Sequence, residues 1–197
     1  MPFDFLIKII VRREMLRENY IGVPTDLGKA QRALDYVNRH KNNSKGWWLL
    51  VGRWTEWPNE DVVPLPITTT TKIPEVIGFW KIAEVNLVYE DPEGILYTPE
   101  LNFTAVEPST YQQVTDIRAN SVLLSTTVDS VSYGESFTFR IIGICTSISL
   151  GVDVPIENRN FLEAEEVNDY FLEWYANCKA VTVSNNANYK LNIIRSF

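Results

Sequence analysis

The sequence predicts a mainly β chain, a β-sandwich of roughly six to eight antiparallel strands with one or two peripheral helices. Three observations point there. Apolar and polar residues alternate in several runs bounded by turn residues, the period-two pattern of strands with one buried face. Short continuous runs of β-branched and aromatic residues mark strands buried on both faces. Only two stretches carry apolar residues at three- and four-residue spacing, and a proline-rich tract between them disfavours helix.

Taken in order, residues 1–20 mix signals: Ile7, Ile9 and Val11 alternate as a strand would, whereas Met15-Leu16-Arg17-Glu18 is helix-like. Pro24-Thr25-Asp26 then offers an N-cap, and Leu27, Ala30, Leu34 and Val37 recur at helical spacing until Asn42-Asn43, predicting a helix over 26–40. Trp47-Trp48-Leu49-Leu50-Val51, between Gly46 and Gly52, suits a buried strand. Pro58, Pro64, Pro66 and Pro74, with four consecutive threonines, predict an extended, semi-rigid surface connection. Val85, Leu87 and Tyr89, the turn Asp91-Pro92-Glu93-Gly94 and Ile95-Leu96-Tyr97 read as a hairpin. Residues 121–128 and 137–144 read as a second hairpin. Val167, Tyr170, Phe171 and Trp174 suggest a second helix within 163–178, and strands on either side of a polar tip at 184–188 close the chain. The chain divides into an N-terminal segment, 1–45, with one amphipathic helix and a candidate docking role, and a β-sandwich adaptor domain, 46–197.

Composition bounds the function. At 197 residues, 45% hydrophobic and 22% charged, the chain can bury one sizeable core. Its net charge of -7 repels phosphate backbones and anionic lipid, which argues against nucleic-acid and membrane partners. Arg12, Arg13 and Arg17, and the basic residues of 29–45, read as solvated faces. Residues 3–11 are too short an apolar run to span a bilayer, so the expectation is a soluble protein made in a cytoplasm.

Chemistry is sparse. His40 is the single histidine, which excludes a histidine-based triad or a multi-histidine metal site, and it reads as a helix C-terminal residue. Cys145 and Cys178 have no partners at metal-ligand spacing. No phosphate-cradling or nucleophile-elbow motif is present. Glu84, Glu90, Asp91, Glu93 and Glu107 could supply a carboxylate pair, but so acidic a chain always offers pairs. Glu163, Glu165, Glu166 and Asp169 lack the alternation of a calcium loop. The reading is a non-enzyme with no catalytic residue, metal or cofactor. Four of the six tryptophans fall within 47–57. Trp47 and Trp48 face opposite sides of a strand, leaving at least one for a second layer or a partner. Arg53 beside Trp54 suits stacking, and aromatic-plus-arginine surfaces concentrate binding energy. The candidate partner surface is Trp47, Trp48, Arg53, Trp54, Trp57, Pro58, Pro64 and Pro66. A core-lining aromatic cluster and a sugar-stacking platform are the alternatives.

Gly52-Arg53-Trp54-Thr55-Glu56-Trp57-Pro58-Asn59-Glu60-Asp61, followed by Val63-Pro64-Leu65-Pro66, resembles the strand, Trp-Pro-acid loop and proline-rich arm of phage baseplate wedge proteins related to the eighth gene product of T-even, contractile-tailed phages. Ile77-Gly78-Phe79-Trp80-Lys81, Phe139-Arg140-Ile141-Ile142-Gly143-Ile144-Cys145-Thr146 and the terminal segments 177–182 and 193–197 are similar to further motifs of its shorter members. Ala180 stands where the family has proline, Arg195-Ser196 where it has an acid, and residues 1–45 carry no matching motif. The resemblance implies a β-sandwich adaptor in the virion, two copies forming a homodimer within each wedge. It would link the inner baseplate to peripheral tail-fibre or tailspike proteins. A carbohydrate-binding β-sandwich and another tail or neck connector are the competing readings.

Overall fold

The computed structural model describes residues 25–43, 45–53, 56–97, 102–106, 116–117, 119–151, 156 and 158–197. Helix α1 (Asp26–Lys41) starts where the sequence places it: Thr25 Oγ1 accepts from Gly28 N at 3.1 Å, and Arg39, His40 and Lys41 oppose the dipole in the last turn. It buries Ala30, Ala33, Tyr36 and Val37, while Leu27, expected on the apolar face, is half exposed. The mixed signals of residues 1–20 lie outside the described residues.

Ten strands follow among the described residues: β1 (Trp48–Gly52), β2 (Val76–Lys81), β3 (Glu84–Glu90), β4 (Leu96–Tyr97), β5 (Asn102–Val106), β6 (Ser121–Asp129), β7 (Phe137–Leu150), β8 (Phe161–Glu163), β9 (Val167–Val183) and β10 (Asn188–Ser196). A one-turn helix, α2 (Ser130–Tyr133), joins β6 to β7, and a 3-10 turn (Ala164–Glu166) joins β8 to β9. Sheet A has the order β8-β2-β1-β7-β9 and sheet B the order β10-β6-β3-β5-β4. All pairings are antiparallel, as expected for a sandwich. The strands beyond the expected six to eight include the two-residue β4 and three-residue β8, too short to carry a period.

One core lies between the sheets. Trp47, Leu49 and Val51 point into it from β1 and its approach, meeting Val85, Leu87, Val122 and Leu124 of sheet B and Phe137, Phe139 and Ile144 of β7. Helix α1 closes it, with Tyr36 packed edge-on to Trp47 at 4.5 Å between ring centroids. A second core covers the outer face of sheet A, where Trp48 and Leu50 join Phe79, Ile141, Cys145, Ile148 and Leu162. Burial on both faces explains why β1 is apolar at every position rather than alternating.

Three expectations are corrected. The turn at Asp91 forms, with Gly94 N donating to Asp91 O at 2.9 Å, but the strands flanking it do not pair. Instead β5 lies between β3 and β4, because Phe103 packs against Val88 and Leu123 and Thr104 Oγ1 donates to Asp91 Oδ2 at 2.7 Å. The second predicted hairpin is divided between the sheets. Asp129 caps α2 through Ser132 N at 2.6 Å, and Gly134, at φ 94°, ends it in the left-handed region. That single turn carries the chain across, so Val128 and Phe137 enter the same core from opposite sheets. Finally, 163–178 forms no α-helix, only the 3-10 turn at Ala164–Glu166. Most of it belongs to β9, and the three-residue spacings arise from register shifts against β7 that put Val167, Tyr170, Leu172 and Tyr175 on the outer face.

Candidate partner-binding surface

Gly52 pairs with Val76, so β1 and β2 close a loop comprising residues 53–75. A connection of that length without its own secondary structure is uncommon in a compact domain unless it is functional or disordered. Here side chains of β9, the edge strand of sheet A, hold its described residues in place.

The first anchor is a bulge. Between their paired neighbours, β7 has Arg140 alone while β9 has Cys178, Lys179 and Ala180. The extra backbone groups would lack ladder partners, and the Trp-Pro-acid loop supplies them. Trp57 Nε1 donates to Cys178 O at 2.9 Å, and Ala180 N donates to Glu60 Oε2 at 3.4 Å. Arg140, opposite the bulge with a side chain only 12% exposed, donates Nε to Glu60 Oε1 at 2.7 Å. Asp61 pairs with Lys179 at 2.9 Å, and Asn59 shapes the turn by accepting from Asp61 N. Hydrogen bonds from Arg140 and from Lys179 hold the Glu60 and Asp61 carboxyls below their ordinary values.

Further anchors run along β9 in the opposite chain direction. Asn177 Nδ2 donates to Pro64 O at 2.9 Å. The Tyr175 hydroxyl accepts from Ile67 N and lies 3.0 Å from Ile67 O and 3.2 Å from Thr70 Oγ1. Lys72 bonds to Asp169, lowering that carboxyl as well, and its ammonium sits 4.0 Å from the Tyr170 ring centroid. Ile73 N donates to the Tyr170 hydroxyl at 2.8 Å, and the Ile73 side chain is buried in the outer core. A Cβ on Gly52 would stand 2.8 Å from Ile73 Cγ2, so the glycine makes room for the returning arm. Prolines cannot donate to a ladder, which is why side chains serve the arm's carbonyls.

Anchoring leaves an apolar crest outward. Val62 is 66% exposed, Leu65 88% and Ile67 63%, flanked by the exposed prolines Pro64 and Pro66. These adjacent exposed residues, restrained by proline and hydrogen bonds, offer contact area at low ordering cost. Sequence reasoning named the prolines and overlooked the three aliphatic residues, although their place among prolines was the available signal.

The tryptophans behave differently. Trp47 is 2% exposed, Trp48 1% and Trp57 7%, each consumed by the chain's own cores. The second layer that Trp48 serves is therefore the arm-covered outer core, and these three rings present no stacking face to a sugar or a protein partner. Trp54 lies outside the described residues. Arg53 is exposed, its Nη2 donating to the Tyr133 hydroxyl at 3.0 Å. Pro58 is exposed beside the first anchor. Among the described residues, the candidate surface thus comprises Pro58, Pro64, Pro66 and the aliphatic crest, together with the exposed Arg53.

Of the remaining acidic candidates, Asp91 and Glu166 serve local structure through their hydrogen bonds. Glu84 and Glu90 end β3, Asp91 and Glu93 shape the turn after it, and Glu107 lies outside the described residues. Glu166 accepts from Arg159 at 2.6 Å and from Glu163 N at 2.9 Å. Burial pushes the Cys178 thiol up to about 11 and raises that of Cys145, so both stay protonated near neutral pH and neither is poised as a nucleophile. No helix among the described residues is long and apolar enough to cross a membrane.

Comparison with known proteins bears on this surface. The family described as baseplate wedge 3 tail fiber network component has a model that matches residues 23–197, a span including α1, both sheets and the arm. Virion protein 3 of Enterococcus phage phiEF24C is 46% identical over 50 residues, 25% of this chain and 28% of that protein. The match therefore spans little more than a quarter of that relative's length.

Proposed function

Since the chain belongs to the baseplate wedge 3 tail fiber network component family, a family of phage tail baseplate structural proteins, we propose that it links the inner baseplate to peripheral fibre or tailspike proteins through its anchored arm. The observation that carries the reading is the crest of Val62, Leu65 and Ile67, held outward on a loop whose ends are fixed in the outer core. An adaptor in a contractile particle must transmit force without its contact loops yielding. Fixing the loop at many points along a strand meets that need, whereas the individual surface ion pairs each add little.

The finer relationship is to the eighth gene product of T-even phages, and the subunit is placed in the virion after synthesis in the host cytoplasm. Within each wedge the chain forms a homodimer, and it performs no catalysis. Burial of Trp47, Trp48 and Trp57 weighs against the carbohydrate-binding alternative, which needs exposed rings. A reconstruction of the intact tail tests the proposal. The expected result is a subunit in the baseplate with residues 62–67 covered by a neighbouring protein; a subunit with that crest facing solvent before and after contraction would refute the assignment.

A further inference from the structure

The outermost strand of a sheet presents unpaired backbone N–H and C=O groups, which proteins manage by shortening, distorting or covering that strand. Among the described residues the two sheets end in β8, β9, β4 and β10. β8 has three residues and β4 two, so both are short. β9 is broken by register shifts against β7 and carries the anchors of the arm. β10 has none of these protections. Its nine residues pair with β6 without a register shift and include no proline, and their backbone groups bond to no other segment among the described residues.

The bonds at the two ends of this ladder fix its phase. Ser130 N donates to Ala187 O at 3.1 Å and Phe197 N to Asn120 O at 3.0 Å, and both pairs continue the β10–β6 register. Bonded and non-bonded pairs alternate along an antiparallel ladder. The odd-numbered residues of β10 therefore bond to β6, while Asn188, Lys190, Asn192, Ile194 and Ser196 aim their N–H and C=O groups at the open edge. Side chains divide by the same parity. Leu191 and Ile193 pack against the inter-sheet core and Tyr189 meets Phe139 edge-on at 6.3 Å, whereas Ile194 joins Val88, Phe103 and Leu123 in a separate cluster.

We propose that β10 pairs antiparallel with β10 of a second copy of this chain, about a two-fold axis at Asn192, joining the two B sheets into one. Centring on Asn192 sets every open-edge residue opposite another: Asn188 faces the partner's Ser196, Lys190 the partner's Ile194, and Asn192 the partner's Asn192. The core-side residues then fall at the closer, non-bonded positions. There Leu191 meets the partner's Ile193, and the Tyr189 ring, 41% exposed, meets the partner's Arg195. No like charges stand opposite each other, although the strand carries Lys190 and Arg195 and no acid. That self-complementarity selects a second copy as the occupant. That two copies associate is the homodimer reading, on which this rests; the strand they share is the new element, and the arm assignment is independent of both.

Sedimentation of the full chain over a concentration series, with amide exchange followed residue by residue by NMR, provides the test. The expected result is a monomer–dimer equilibrium in which the amides of Lys190, Asn192 and Ile194 slow about tenfold or more once dimer predominates, while those of Leu191 and Ile193 are protected at every concentration. Lys190→Pro removes an open-edge donor and leaves the bonds to β6 in place, so it should weaken dimerisation at least about tenfold with the melting temperature in dilute solution unchanged. If the proline variant fails to fold, amide exchange in the parent chain decides alone. A dimer in which those three amides still exchange fast, or one that a folded Lys190→Pro chain still forms with parental affinity, would overturn the shared strand and leave the homodimer reading standing. A chain monomeric at every concentration would overturn both.

Discussion

Trp47 and Trp57 are both buried, yet they sit in parts of the molecule built on different terms. Trp47 lies between two hydrogen-bonded sheets beneath a capped helix, where strand register fixes every neighbour. Trp57 lies beneath a loop with no ladder of its own, held to β9 by an indole N–H, carboxylates and tyrosine hydroxyls. The inter-sheet core makes the fold, whereas the outer core also seats the arm. Its stability is therefore separable from global stability, as expected of a locally cooperative unit.

That separation predicts a ranked set of effects. Trp47→Ala should be the most damaging, costing about 3–5 kcal/mol as a large ring is deleted from the packed core, read from the denaturation midpoint. Trp57→Ala should cost less globally but release the arm, so that trypsin cuts after Lys72 far faster than in the parent chain. Equal global losses from the two variants would show that the arm belongs to the main core. The effect on the free chain follows because the Trp57 ring fills the outer core and its indole N–H donates to Cys178 O.

Acid should act on the arm before the fold. Glu60, Asp61 and Asp169 all have lowered carboxyl values, chiefly through hydrogen bonds from Arg140, Lys179 and Lys72 respectively. Groups with depressed folded values stabilise fully above the ordinary carboxylate range and lose that contribution as pH falls through the lowered values. Hydrogen exchange of arm amides such as Ile67 and Ile73 should therefore accelerate below about pH 4 while β1 and β7 remain protected. Simultaneous loss of protection would break the distinction. The smallest effect is expected of Tyr175→Phe, which removes the hydroxyl serving Ile67 and should cost about 1 kcal/mol, confined to exchange in the middle of the arm.

The same contrast explains what the sequence discloses. Local signals were legible: the Thr25 cap and the spacing of Ala30 and Val37 specify α1, the apolar run from Trp47 to Val51 specifies β1, and the prolines specify an extended connection. Partnerships between distant segments were not. Nothing near Asp91 says that β5 inserts beside β3, and nothing near Tyr133 says that its two flanking strands belong to different sheets. β9 misleads because its bulges imitate helical spacing, and those bulges are defined only by pairing with β7. The site divides likewise. Pro64 and Pro66 were legible as arm residues, but the fate of Trp48 and Trp57 depends on the arm folding back over the outer face of sheet A, a contact with no local signature.

The central claim is that the anchored arm is a contact surface and not merely a cover for the outer core. Its most direct measurement is incorporation of a Val62→Asp, Leu65→Asp, Ile67→Asp variant into baseplate wedges, with the melting temperature of the free chain measured alongside. All three side chains are exposed, so the account predicts an unchanged melting temperature and loss of incorporation. Normal incorporation of a fully folded variant would contradict it.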